Sequence, residues 1–137
     1  MQKESVKAFK NELRNYNYYL SRVVTLQNSI EWCFEQLGGV RGVDPSREPL
    51  HIQPNKEREW YLRDRIEALE AQKLIAERKV KEIDEILAKM ETSLKTAIIA
   101  VYVNGYRSDR VAKDMFVSAN GLLYRINKEI ERVLDEV

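Results

Sequence analysis

The chain is short of the residues that brace small folds or carry most enzyme chemistry. A single cysteine, Cys33, among 137 residues excludes an intramolecular disulfide, which suits a reducing compartment. The single histidine, His51, has no second histidine, cysteine spacing or carboxylate cluster with which to hold a metal. No apolar run approaches the ~20 residues that span a bilayer. The segment MQKESVKAFKNELRN also lacks the apolar core of a secretion signal. A cytoplasmic chain with no membrane contact is expected. Net charge is only +1, so no global field draws the protein to nucleic acid and any such contact needs a local patch. There is no phosphate-binding loop, nucleophile elbow or dinucleotide fingerprint. The plentiful carboxylates follow the charged faces of helices. Neither an enzyme nor a cofactor is expected.

Helix breakers are equally scarce, five glycines and three prolines. Gly38, Gly39, Gly42 and all three prolines fall within residues 38–54, so the chain has one strong break between two long segments. With 33% charged residues and apolar residues at helical spacing, this is the profile of a long-helix protein.

Both long segments carry apolar residues in steps of three and four, the period of a coiled-coil seam. The first seam is Val6, Phe9, Leu13, Tyr16, Leu20, Val23, Gln27, Ile30, Phe34, Leu37. The second is Leu62, Ile66, Leu69, Lys73, Ala76, Val80, Ile83, Leu87, Met90, Leu94. Laid antiparallel, Val6 faces Leu94, Leu20 faces Val80, Phe34 faces Ile66, and the polar interruptions Gln27 and Lys73 meet. That pair is either tolerated, with the lysine stem lying along the seam, or sets the register as a polar core residue does in coiled coils. One helix is read from about Lys3 to Leu37, ended by Gly38-Gly39. A tip loop follows over 38–55. A second helix, capped by Asn55, then runs unbroken to about Val103. Tyr18, Tyr19, Val24, Trp32 and Cys33 lie outside the first seam, too much apolar surface for a solitary rod. Homo-oligomerisation, or packing of the C-terminal segment on that face, is expected.

From Thr92 the pattern changes. Leu94, Ala97, Ile98, Val101 and Tyr102 are apolar around the helix, as the base of a small core requires. Asn104-Gly105 closes that helix. Ser108 is an N-cap for a short helix with Val111 and Met115 inward. After a turn at Val117-Ser118, a last helix buries Leu122, Leu123, Ile126, Ile130, Val133 and Leu134. Helix, short helix, tight turn and longer helix is the helix-turn-helix plan, whose last helix can enter a major groove. The expected fold is all-α: a long antiparallel coiled-coil helical hairpin over 1–91 and a C-terminal helix-turn-helix head over 92–137.

The run GYRSDRVAKDM…LLYRINKEIERVL resembles the C-terminal helix-turn-helix of phage late-gene transcription regulators of the ArpU-like group, itself similar to region four of bacterial sigma factors. Gly105, Val111-Ala112 and Leu123-Tyr124-Arg125-Ile126 carry the resemblance. The chain departs from the pattern at Phe116-Val117, where the turn usually has glycine, in a spacing one residue longer from Ala112 to Tyr124-Arg125, and at Ser118-Ala119-Asn120-Gly121, where arginine or glutamine is common. The resemblance implies a phage or prophage DNA-binding transcription regulator acting with host RNA polymerase. Its positioning contacts to the DNA backbone would come from Arg107 and Lys113. Asn120 can pair bidentately with adenine. Tyr124 is a contact or a rim residue of the core. Arg125, Lys128 and Arg132 are either phosphate contacts or a solvated face paired with Glu129 and Asp135. Two rivals stand beside this reading, a packaging protein resembling small terminase subunits and a structural coiled-coil adaptor that binds no DNA.

Overall fold

The computed structural model describes residues 3–38 and 56–136. Among them every regular element is a helix: α1 (Glu4–Arg14), α2 (Tyr16–Leu37), α3 (Lys56–Ala88), α4 (Thr92–Ile98) with a π-helical continuation (Ile99–Val103), α5 (Ser108–Asp114) and α6 (Ala119–Asp135). The fold is all-α. None of these helices is long and apolar enough to cross a membrane. The tip loop beyond Gly38, with His51 and the Asn55 cap, lies outside the described residues.

The chain divides into two compact units, one of residues 1–19 with 78–137 and one of residues 20–77. The boundary expected at 91/92 is therefore not where the units part. The N-terminal helix belongs with the C-terminal segment because its apolar face is buried there. α1 lies against α6 and the π-helical turn, and Val6, Phe9 and Leu13 share one core with Ile98, Tyr102, Leu122, Ile126, Ile130 and Val133. Ile83, Leu87 and Met90 from the end of α3 complete it.

Two expected continuous helices are broken. Asn15 sits between α1 and α2 at φ −93°, ψ 0°. Its side-chain amide donates to the Asn11 carbonyl at 3.0 Å, the local competition with the helix ladder that makes asparagine a poor interior residue. The second break, at residues 89–91, has no glycine or proline. The Lys89 and Met90 amides close the end of α3 on the Ile86 and Leu87 carbonyls, and Glu91 is extended at φ −61°, ψ 138°. The partners freed here come from α6. The buried Glu129 carboxylate accepts the Glu91 amide at 3.3 Å. Arg132, held by Glu129 at 2.5 Å, donates to the Lys89 carbonyl at 3.3 Å. Orphaned backbone groups at a helix end need such partners.

In the second unit α2 and α3 run antiparallel: Arg22 donates to Gln72 at 2.8 Å, Lys73 Nζ to Gln27 Oε1 at 2.6 Å, and Arg58 to Gln36 at 3.0 Å. The α3 positions Leu62, Ile66, Leu69 and Ala76 are buried, and Val80 of the same seam, in the first unit, is half-buried. The α2 stripe differs from the expected one. Leu26, Ile30 and Cys33 are buried with Leu62, Ile66 and Leu69, whereas Phe34 is 49% exposed and Leu20 40%. The physical reason is that the chain up to Tyr19 and the chain after it serve different neighbours. A single heptad frame drawn from Val6 through Leu37 assumes one partner and one unbroken helix.

Two stability tests follow. Leu26→Ala should cost about 2–4 kcal/mol in urea denaturation, and Phe34→Ala less than about 1 kcal/mol; the reverse order would restore the expected seam. Glu129→Ala should cost about 2 kcal/mol, because it strands a backbone amide and an arginine. Glu129→Gln, which keeps an acceptor, should cost less.

Candidate nucleic-acid interface

The C-terminal elements owe their geometry to two helix-end motifs. The π-helical turn ends where Gly105 adopts φ +75°, with the Asn104 amide on the Ile99 carbonyl and the Tyr106 amide on the Ala100 carbonyl, both 2.9 Å. Glycine takes this left-handed conformation without steric cost. α5 starts at Ser108 with Arg107 in the capping position, one residue earlier than the sequence suggests. It ends in a complete Schellman arrangement: the Val117 amide donates to the Ala112 carbonyl at 3.0 Å and the Phe116 amide to the Lys113 carbonyl at 3.1 Å.

The left-handed residue of that motif is Phe116, at φ +60°, and its side chain is 96% exposed. A non-glycine residue there pays a steric penalty, and Phe116 buries almost nothing in return. α6 then opens on Ser118, whose hydroxyl accepts the Gly121 amide at 3.0 Å. A Cβ at Gly121 would stand 2.7 Å from that hydroxyl oxygen, so the absence of a side chain keeps the cap closed.

With Leu122, Ile126, Ile130 and Val133 buried, the outer face of α6 presents Asn120, Tyr124, Arg125 and Lys128, all exposed. Asn120, Tyr124 and Lys128 follow one another at four-residue spacing, and Lys128 Nζ lies 5.7 Å from the Tyr124 ring centroid, within cation–π range. Arg107, the N-cap of α5, and Lys113 within it are both exposed, with Arg107 3.4 Å from Asp109. Among the described residues no hydrogen bond or ion pair joins either to the α6 group. Arg132 is engaged elsewhere, by Glu129, by Glu136 at 3.1 Å and by the Lys89 carbonyl. It is a structural arginine and not part of this face. Gln27 and Lys73 belong to the other unit.

No family model, characterised protein or solved structure matches this chain.

The cations expected from the sequence all lie in the C-terminal segment. The fold adds Lys7, Lys10 and Arg14 of α1, which lie with Tyr102, Leu123 and Asn127 around one cleft. A signal for them exists in the sequence. They follow Val6, Phe9 and Leu13 by one residue each, a basic stripe beside the apolar one. Lys10 is only 4% exposed. It donates to Asn127 Oδ1, and burial, then the neighbouring Arg14, push its pKa below the usual 10.5.

Two measurements check these assignments. Phe116→Gly should raise stability by about 1 kcal/mol, since it relieves the left-handed strain and forfeits little contact. A loss would mean that the aromatic ring is packed. Because the folded chain holds the Lys10 proton less tightly than the unfolded chain, stability contributed by this group rises with pH toward 10.5. Burial holds the Tyr102 pKa above 10.0, so its opposing contribution begins only near that pH. Denaturation at a series of pH values below 10 should show the upward slope, and Lys10→Met should flatten it.

Proposed function

We propose that the chain is a DNA-binding transcription regulator of a phage or prophage, docking the exposed face of α6 in a major groove. One arrangement carries the reading: a short helix, a turn closed at both ends by backbone and Ser118 hydrogen bonds, and a longer helix whose outward row is Asn120, Tyr124, Arg125 and Lys128. Such a turn holds the second helix at a set angle, and its exposed row carries groups suited to base edges and phosphates. In this reading Asn120 and Tyr124 face the bases, Arg125 and Lys128 take phosphates, and Arg107 and Lys113 orient the module from α5. The resemblance to ArpU-like regulators at Gly105, Val111-Ala112 and Leu123-Tyr124-Arg125-Ile126 points the same way. It brings host RNA polymerase as the partner and the bacterial cytoplasm as the setting.

A homo-oligomer is part of the proposal. The two-helix unit leaves Val24, Trp32, Trp60, Tyr61 and Ile75 at least half exposed, a concentration of apolar surface that marks interaction sites. A second copy would double the α6 faces and supply affinity that one face with so few base-reading groups lacks. The same surface leaves room for the packaging-protein reading, which a ring-shaped assembly in native mass spectrometry would favour.

Fluorescence anisotropy with random and prophage-derived duplexes tests the proposal. Affinity should fall steeply with salt, and Arg125→Gln and Lys128→Gln should each lower the salt slope by about one. Absence of binding at low salt would leave a structural adaptor.

A further inference from the structure

We propose that the cleft between α1 and α6 is a phosphoryl-binding site built by Lys7, Lys10, Arg14, Tyr102 and Asn127. The proposal does not rest on groove docking by α6 and stands or falls separately.

The cleft, about 500 Å³ in volume, is lined by three cations and no carboxylate. Among the described residues none of the three makes an ion pair. Their hydrogen-bond partners are neutral amides: Lys10 donates to Asn127 Oδ1, and Arg14 to Asn11 Oδ1 at 3.0 Å. Two neighbouring charges are directed elsewhere: Lys3, just before α1, pairs with Glu131 at 3.0 Å, and Glu12 with Lys79 at 3.7 Å. The result is a concentrated positive site in a chain of net charge +1.

The cations also repel one another. Lys7 and Lys10 are three residues apart and Lys10 and Arg14 four, spacings at which like charges destabilise a helix. The ring of Tyr102 is shared, with Lys10 Nζ 5.2 Å and Arg14 Cζ 5.5 Å from its centroid. That ring screens two cations from one side only. A tetrahedral dianion in the cleft would supply the missing counter-charge to all three. Planar arginine and point-charge lysine are the usual donors for such a group. Lys10, nearly buried, is the most desolvated of the set and gains most from it. The ligand class is thus a phosphoryl group, either on a free phosphorylated compound or in a nucleic-acid backbone.

The test uses the full chain with inorganic pyrophosphate, against sodium chloride at equal ionic strength. Thermal unfolding should shift upward by about 4 °C at ten times the dissociation constant. Lys7→Gln combined with Arg14→Gln, both on exposed positions, should abolish the shift. Arg78→Gln combined with Lys81→Gln, equally exposed and equal in charge change, should keep it. Duplex titration of the same variants separates the sources. A drop in duplex affinity with a salt slope lower by about two assigns the cleft to backbone phosphates; unchanged duplex binding beside a lost pyrophosphate shift assigns it to a free ligand. An α6 variant, Tyr124→Ala with Lys128→Gln, should leave the pyrophosphate shift intact even where duplex binding fails. The proposal is overturned if neither pyrophosphate nor duplex responds to the Lys7 and Arg14 changes, or if the Arg78 and Lys81 control responds as strongly.

Discussion

A buried carboxylate sets the path of the C-terminal half of the chain. Glu129, on the inner side of α6, holds Arg132 and accepts the amide of Glu91, while Arg132 reaches the carbonyl of Lys89. Both backbone groups belong to the gap between α3 and α4. Without these partners the cheapest way to satisfy them is to continue the helix. Desolvating an ion pair is costly, but here each member also takes an otherwise orphaned backbone group, which helps to offset the cost. The turn at 89–91 gives α4 its start, and α4 with its π-helical end carries the chain to Gly105 and on to α5. The placement of the outward row of α6 depends on this contact.

The first unit draws its core from both ends of the chain. Val6, Phe9 and Leu13 close over Leu122, Ile126 and Ile130, so α1 is as much a part of the C-terminal module as α6. This has an electrostatic consequence. The basic stripe one residue behind the apolar stripe of α1 is brought against α6 at Asn127. The unit then carries two positive surfaces, the mixed row at Tyr124 and Lys128 and the uncompensated cleft at Lys7, Lys10 and Arg14. The second unit is built differently, with a narrow core of Leu26, Ile30, Cys33, Leu62, Ile66 and Leu69 and large aromatic side chains left in water.

Much of this was legible, and the exceptions are specific. The α3 seam from Leu62 to Leu87 reads directly because its apolar positions keep one period, interrupted only at Lys73. The α6 core reads for the same reason. Gly105 was legible as a helix end because only glycine enters the left-handed region freely. Phe116 performs the same task in the α5–α6 turn; nothing in a phenylalanine announces positive φ, and the one hint was the glycine that the resembled turn usually carries there. Asn15 carried a weak signal that periodicity outweighed. Leu26 and Cys33 were displaced from the seam by assuming one partner for the whole of 6–37. The cleft cations were visible as a stripe, but a solvated face and a ligand site look alike until the opposite wall is known.

The amino-acid order by itself determined that the chain is helical, where apolar residues repeat and where glycine closes a helix, because those depend on a residue and its near neighbours along the chain. Only the tertiary structure decided which stripe meets which, that α3 stops before α4, and that the basic stripe of Lys7, Lys10 and Arg14 meets a wall of Tyr102, Leu123 and Asn127 that brings no carboxylate. Those outcomes depend on partners distant in sequence, Glu129 for the break and Asn127 for the cleft, whose approach no local pattern encodes.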